Sequence, residues 1–462
     1  MRRAALVLAG ALLACGSTPS PPPPPPAVVP VPPPPVAVAP TAARTAPPSE
    51  ESRQAKLISR MLKRVEISRG LDSKKPVPGV LLDRAALIAR VKDHVSRELP
   101  PEAIRNEGLS LQLFGFIPTK FDYEAAEYDL LKAQLAGYYE PADGTMYMAA
   151  DLGDEEAEAT LAHELVHALQ DQRWNLQERS KYRPGDGDRS EVVSALAEGD
   201  ATSAMFDVTI ARAAPGSGKT AVDIPDDVFA EQIGAAMNSD PSVKNTPHVM
   251  RTSLAAPYVY GTLFVHALRR RGGWDAVNRA WDDPPTTTEQ ILHLDKWLAR
   301  EAPMAVPAPT FAALGPGWKV DDEDTEGELG ARIAFEEWME PKAAAEVSGG
   351  WGGDRGVLVT NGDKAAFAWK VRYDPGKSRG DRAARAYVGL TRALDKTLGP
   401  AKTSDAAFSC RERPDRGPLA LTLSGADVVF ILGPVSTSAS GWTSAGDCAQ
   451  ARKWAHEVAS AR

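Results

Sequence analysis

Two histidines four positions apart are the residues with the clearest capacity for chemistry. The chain of 462 residues has only seven histidines, and two of them stand in the run His163-Glu164-Leu165-Val166-His167. Positions i and i+4 lie on one face of a helix, so both imidazole rings can contact the same ion. The carboxylate of Glu164, beside the first histidine, can reach a water molecule on that ion.

This run has the H-E-x-x-H arrangement of zinc metallopeptidases. A catalytic zinc ion needs three protein ligands and one open position, and the motif supplies only two ligands. The longer metzincin pattern is excluded, because Gln170 and Trp174 follow His167 and no third histidine does. The third ligand must therefore come from elsewhere in the chain.

A glutamate on a second helix is the expected third ligand. Glu198 is our candidate, because it stands 31 residues after His167 among small residues that allow a close approach of two helices. Glu191 and Asp200 remain alternatives. Asp200 can instead orient a histidine ligand through a hydrogen bond.

Three elements must position these residues. The helix of the motif is expected to begin near Asp154 as its N-cap, and Leu161, Leu165 and Leu169 form its buried stripe. A second helix is predicted from about residue 190 to 212. A hairpin is predicted over 137–148, because Asp-Gly forms a turn between aromatic residues.

Residues 135–297 resemble uncharacterised bacterial metallopeptidase lipoproteins of the gluzincin type. The resemblance rests on five pieces of the sequence: 137–141, 163–167, 197–201, 258–261 and 284–293. It implies an α+β fold with a mainly helical, zincin-like metallopeptidase domain and a small edge hairpin. It also implies a zinc endopeptidase-like domain, but it identifies no substrate. From the motif we expect one Zn²⁺ per chain and a peptide or protein substrate. Leu294 departs from the pattern, because similar proteins have proline there.

The expected mechanism uses Glu164 as the general base for a water molecule that attacks the peptide carbonyl. The developing oxyanion needs a further donor. Tyr258, Tyr260 and His293 are candidates for it, by analogy with gluzincins that use a downstream tyrosine or histidine.

The N-terminus is typical of an exported and lipid-anchored protein. Arg2 and Arg3 precede a short apolar run that indicates a secretory signal. That run ends in Leu-Leu-Ala-Cys-Gly, which resembles the bacterial lipobox, so residues 1–15 are predicted to be a signal peptide with lipidated Cys15. Gly16 favours the outer membrane by resemblance to Gram-negative lipoproteins. We therefore expect a cell-envelope protein held on a lipid bilayer, facing the periplasm or the outside.

Four segments follow from composition. Proline-rich residues 16–50 are expected to be an extended tether, and 51–301 the metallopeptidase domain. The composition changes to proline, alanine and glycine at 302–316, where we place a domain boundary. Residues 317–462 are predicted to be a small α+β domain. Within it, 321–327 is interpreted as a solvated acidic loop and 328–347 as one helix.

Cysteine usage also agrees with export. The chain has three cysteines, and a lipidated Cys15 leaves Cys410 and Cys448. An even remainder in an oxidising compartment predicts one disulfide between them.

Other classes of function are excluded by charge and motif. The 53 basic and 61 acidic residues give a net charge of −8, and no basic stripe is available for nucleic acid. The run 216–220 resembles a phosphate loop but has Ala213 where the pattern needs glycine, so no nucleotide is expected. The competing hypothesis is a non-catalytic, zinc-containing envelope lipoprotein that acts as a binding or scaffold module. Glu164 favours the enzyme, because a structural zinc site does not need that carboxylate.

Overall fold

The computed structural model describes residues 50–237, 245–376, 381–438 and 441–461, and it confirms the α+β class. The predicted signal peptide, Cys15 and nearly all of the tether lie outside these residues. The first part of the described chain is mainly helical. Its helices are α1 Glu50–Arg69, α2 Arg84–Glu98, α3 Pro101–Phe114, α4 Tyr123–Gln134, α5 Asp154–Trp174, α6 Leu176–Arg179, α7 Gly187–Ala213, α8 Asp226–Met237, α9 His248–Asp282, α10 Thr288–Leu292 and α11 Leu294–Leu298.

A three-stranded sheet lies among these helices. Its strands are β1 Gly79–Leu82, β2 Gly137–Glu140 and β3 Thr145–Ala149, in the order β1-β3-β2. β2 and β3 are antiparallel and form the predicted hairpin. β1 was not predicted from the sequence, and it pairs with β3 in the parallel direction. One edge of the sheet is therefore β2, which contacts the helix that carries the histidines.

The helix of the two histidines begins one residue earlier than expected. Gly153 is the N-cap of α5, with extended backbone and no side-chain cap, so the predicted Asp154 cap is wrong. A glycine provides no side-chain acceptor for the first helical N–H groups. The helix ends at Trp174, followed by Asn175 in the left-handed conformation.

The second part of the chain is built on an antiparallel sheet. Its strands are β4 Lys319–Asp324, β5 Trp351–Asn361, β6 Lys364–Tyr373, β7 Thr403–Ser404, β8 Phe408–Arg413, β9 Gly417–Ser424, β10 Asp427–Ser438 and β11 Gly441–Ser444. The sheet order is β4-β5-β6-β10-β9-β8-β7, with β11 on β10. The accompanying helices are α12 Gly327–Glu336, α13 Pro341–Ser348, α14 Asp381–Leu398 and α15 Cys448–Ser460.

Two sequence predictions for this part are corrected. Most of the acidic loop predicted over 321–327 is edge strand β4, which pairs with β5. The single helix predicted over 328–347 is two helices, because Pro341 lacks the N–H that would continue α12 and occupies the first position of α13 instead.

The two parts share apolar packing. Phe114 at the end of α3 contacts Phe367 and Trp369 of β6, with ring centroids 5.5 and 6.2 Å apart. The boundary predicted at 302–316 stays a prediction, and this segment contains only the short 3-10 turn Ala312–Leu314.

A buried carboxylate connects the strands of the second part to the start of α12. Asp354 of β5 accepts four N–H hydrogen bonds of 2.7 to 3.1 Å. The donors are the backbone of Glu326 and Gly327 and the indoles of Trp351 and Trp369. All four partners are donors, so the position requires two acceptor oxygens.

None of the helices in the described part of the chain combines the length and the apolar character needed to cross a membrane.

Candidate metal centre

The two histidines of the motif lie on one face of α5, as their spacing predicts. Their rings are edge to face, with centroids 4.8 Å apart. The Nε2 atoms of His163 and His167 point at each other across 3.1 Å. Only 1% of His163 and 4% of His167 is exposed. Two ring nitrogens therefore converge on one small region inside the protein.

Glu198 of α7 completes this group. We call His163, His167 and Glu198 the metal-ligand group. Its Oε2 atom lies 3.0 Å from Nε2 of His163 and 3.6 Å from Nε2 of His167. The three ligand atoms lie within 4.8 Å of one another. The alternatives Glu191 and Asp200 do not belong to this group. Two imidazoles and one carboxylate are the donor set of a gluzincin zinc site, and the residues fit that ion.

Two glycines let α7, the helix that carries Glu198, pack closely against α9. A Cβ atom at Gly199 would lie 2.1 Å from the carbonyl carbon of Gly261. A Cβ atom at Gly261 would lie 1.9 Å from the carbonyl oxygen of Ala195. Any larger residue at either glycine would force the helices apart. The small residues around Glu198 thus have a direct steric role.

Glu164 projects beside the metal-ligand group and is only 2% exposed. Its Oε2 atom accepts a 2.8 Å hydrogen bond from the backbone N–H of Tyr139 in β2. Its Oε1 atom has no hydrogen-bond partner among the described residues. Burial raises the pKa of this carboxyl, and the neighbouring histidines only partly oppose the effect. The carboxylate of Glu164 therefore has one oxygen held by a hydrogen bond and one oxygen that can accept a proton.

The charges of the ligands are strongly coupled. Burial lowers the pKa of His167, but Glu198, with help from Glu164 and Gln170, outweighs burial and raises it to about 9. Burial raises the pKa of Glu198, but the two histidines outweigh burial and lower it to about 2. At neutral pH the metal-free group thus holds a protonated imidazole next to a carboxylate, where a cation would otherwise lie.

Tyr258 lies next to the metal-ligand group. This residue of α9 is buried, and its ring stacks on His163 with centroids 6.0 Å apart and planes 27° from parallel. Tyr260, the second tyrosine considered, faces the guanidinium of Arg332 at 4.8 Å. Tyr258 is therefore the tyrosine that the fold brings to the histidines.

His293 has a different partner. Its Nε2 atom lies 2.9 Å from Oε1 of Glu328 in α12. The hydrogen bond to Glu328 raises the pKa of His293. His293 is not a member of the metal-ligand group. This geometry gives no support to His293 as the donor to the oxyanion.

A second acidic group, not predicted from the sequence, lies at the junction of the two parts. It contains Glu289, Glu301 and Asp374. The Nζ atom of Lys296 lies 2.5 to 2.7 Å from all three carboxylates. The ammonium group of Lys296 therefore lies among the three carboxylates, where a metal ion would otherwise bind.

Two polar contacts of the candidate metal centre were not predicted from the sequence. Gln170 bonds to His167, and the backbone of Tyr139 bonds to Glu164. Gln170 could have been found, because it lies three residues after His167 and so on the same helix face. The β2 contact has no local sequence signal.

The two remaining cysteines are joined. Cys410 of β8 and Cys448 at the start of α15 form a disulfide with an S–S distance of 2.05 Å. This cross-link lies in the second part of the chain.

Comparison with known proteins gives little about function. Residues 317–442 match the profile of "Domain of unknown function (DUF8575)". No curated protein matches the chain. A crystal structure from Chloroflexus aurantiacus, described as a "putative hydrolase with a novel fold", is 18% identical, with a TM-score of 0.35. The alignment covers 55% of this chain and 92% of that one. A likeness this distant carries no argument about fold or activity.

Proposed function

We propose that the chain is a zinc-dependent peptidase with a zincin-like catalytic domain. The observation that carries the proposal is the convergence of His163, His167 and Glu198, with Glu164 buried beside them. Three protein ligands leave one position for a reacting molecule, as in catalytic zinc sites. The proposed cofactor is one Zn²⁺ per chain.

Glu164 is the proposed general base. Bound zinc would supply Lewis-acid activation of a water molecule and of the scissile carbonyl. The free Oε1 of Glu164 accepts a proton from the attacking water and delivers it to the leaving amine nitrogen. Burial raises the pKa of this carboxyl, which makes it a stronger proton acceptor than an exposed glutamate. The Tyr139 N–H holds the other oxygen and limits rotation of the carboxylate.

Tyr258 is the proposed donor to the developing oxyanion. Its buried ring stacks on His163, so the residue lies beside the ligands. A phenol can donate one hydrogen bond to an oxygen that gains charge in the transition state. Tyr258→Phe should therefore lower the turnover number with little effect on zinc content.

The competing proposal is a non-catalytic zinc lipoprotein. It gives no reason for Glu164, a carboxylate that is almost fully buried and keeps one oxygen without a partner. Burying such an oxygen costs stability. A structural site would need at most the one oxygen that accepts from the Tyr139 N–H and has no use for the second, so the peptidase is the better account.

The proposed setting is the cell envelope. The basic N-terminus, the apolar run that ends at Cys15 and the proline-rich tether over 16–50 support a lipid-anchored protein. The proposed partners are the lipid bilayer and a peptide or protein substrate outside the cytoplasm. The outer membrane is favoured by Gly16.

Zinc content is the first test of this proposal. The wild-type chain should hold one zinc ion, and His163→Ala or His167→Ala should abolish binding. Glu198→Gln should weaken binding strongly, whereas the control Glu191→Gln on the same helix should keep full occupancy. Full zinc occupancy in Glu198→Gln, with loss of zinc in Glu191→Gln, would show that Glu198 is not the third ligand.

Activity is the second test. The zinc-loaded chain should cleave members of a broad peptide library, lose the activity in a chelator and regain it with zinc. Zinc binding without any cleavage would support the scaffold proposal instead.

A further inference from the structure

His167 has a polar contact on the side opposite to the metal-ligand group. Its Nδ1 atom lies 2.9 Å from Oε1 of Gln170. The amide nitrogen of Gln170 donates to the carbonyl of Ala197 at 3.0 Å and to Oδ2 of Asp200 at 3.3 Å. Both of these partners are acceptors, so they require the amide nitrogen on that side. The amide oxygen of Gln170 must then face His167.

The orientation of Gln170 determines the state of the histidine. An amide oxygen only accepts hydrogen bonds, so Nδ1 of His167 must carry a proton and donate it. Nε2 is then the nitrogen available to a metal, and it is the atom that faces His163 and Glu198. A hydrogen bond to the other ring nitrogen commonly fixes the tautomer and the ring plane of a metal-ligating histidine.

Gln170 is itself held by a buried ion pair. Asp200 pairs with the guanidinium of Arg69 from α1, through Nε and Oδ1 and through a second contact of 3.1 Å. Both side chains are fully buried. The indole of Trp281 also donates to Asp200, at 2.8 Å. The guanidinium lies 4.4 Å from the ring centroid of Trp274. Asp200 therefore has little freedom to move.

We propose that Gln170 is a positioning residue for His167 and that Asp200 and Arg69 hold Gln170 in place. In this arrangement α1 supports the metal centre, although α1 lies outside the segment that resembles metallopeptidases. The proposal rests on the proposed function in one respect, which is that the metal-ligand group binds zinc. The hydrogen bond itself does not depend on the metal.

The first experiment measures zinc affinity by competition with a chelator. Gln170→Met keeps the length of the side chain and removes the hydrogen bonds, so zinc should bind about 10–100-fold more weakly. Gln172→Met is the matched control on the same helix. Gln172 also makes several hydrogen bonds, but they go to the backbone of Lys74 and Lys75. Its zinc affinity should stay within about twofold of wild type.

The second experiment needs no metal. A buried, hydrogen-bonded Nδ1–H exchanges slowly with water and should give a downfield proton signal in the NMR spectrum of the zinc-free chain. The signal should be absent in His167→Asn, which assigns it. It should also be absent in Gln170→Met and present in Gln172→Met. A signal retained in Gln170→Met would overturn the proposal, whatever the zinc affinity.

The third experiment tests the role of Arg69 and Asp200. Changing Arg69→Met and Asp200→Leu together leaves no unpaired buried charge. This pair of changes should weaken zinc binding. Adding Gln170→Met should lower the zinc affinity little further, because all three changes act through the hydrogen bond between Gln170 and His167. Fully additive losses would show that the ion pair does not act through Gln170.

The outcomes also separate this proposal from the proposed function. No zinc binding by the wild-type chain would contradict the function, and the NMR signal would still decide the hydrogen bond. Equal zinc affinities of wild type and Gln170→Met would contradict the positioning role alone.

Discussion

Zinc affinity should depend steeply on pH between 7 and 9. Burial lowers the pKa of His167, but Glu198, together with Glu164 and Gln170, raises it to about 9 in the metal-free chain. Zinc requires the neutral imidazole, so each bound ion must displace a proton. A raised pKa stabilises the protonated, metal-free group below about 9, and this advantage disappears as the pH rises through that value. Raising the pH should therefore favour zinc.

The size of the effect follows from the pKa. At pH 7 about one metal-free molecule in 100 has a neutral His167, which lowers the apparent zinc affinity on the order of 100-fold. The affinity should rise about tenfold per pH unit and level off above pH 9. Glu198 adds no slope there, because its lowered pKa of about 2 keeps it ionised throughout.

Chelator competition at several pH values would measure the slope. Calorimetry in buffers of different ionisation enthalpy would count the released protons, and we expect about one per zinc at pH 7. Glu158→Gln on the same helix is the control, because Glu158 is partly exposed in ion pairs with arginines away from His167 and its replacement should keep the slope. A zinc affinity that is flat from pH 7 to 9, with no proton release, would refute this account of the charges.

Two further predictions concern stability. Asp354→Asn places an amide NH₂ against N–H donors and should lower the free energy of unfolding by about 2–4 kcal/mol in denaturant titrations. The exposed control Asp295→Asn should change it by less than about 0.5 kcal/mol, and equal values for the two variants would contradict the reasoning. The disulfide closes a separation of 38 residues, and reduction should cost about 2–4 kcal/mol. Two alkylatable thiols at Cys410 and Cys448 in native protein under non-reducing mass spectrometry would refute the bridge.

Local patterns predicted the helix of the histidines well. The spacing of His163 and His167 and the leucine stripe depend only on residues within one helix, and all of them lie within α5. The small residues around Glu198 indicated a close helix contact, and the approach of Gly199 to Gly261 explains that signal.

Other contacts between distant residues could not be predicted. Arg69 and Asp200 are separated by 131 positions, and neither has a neighbour in sequence that indicates the pairing. β1 has only four residues, and its pairing with β3 depends on tertiary packing. β4 is rich in acidic residues, which are rare in strands, and its pairing with β5 outweighs that preference.

Replacement of Glu164 tests most directly whether this residue is the base of a zinc peptidase. Replacing it by glutamine keeps the shape of the side chain and removes proton transfer, while His163, His167 and Glu198 remain. Zinc content should be unchanged, and peptide hydrolysis should fall by about 10²–10⁴-fold. Glu158→Gln, on the same helix and partly exposed in ion pairs with arginines, should keep full activity. Equal hydrolysis by wild type and Glu164→Gln at equal zinc content would contradict the claim.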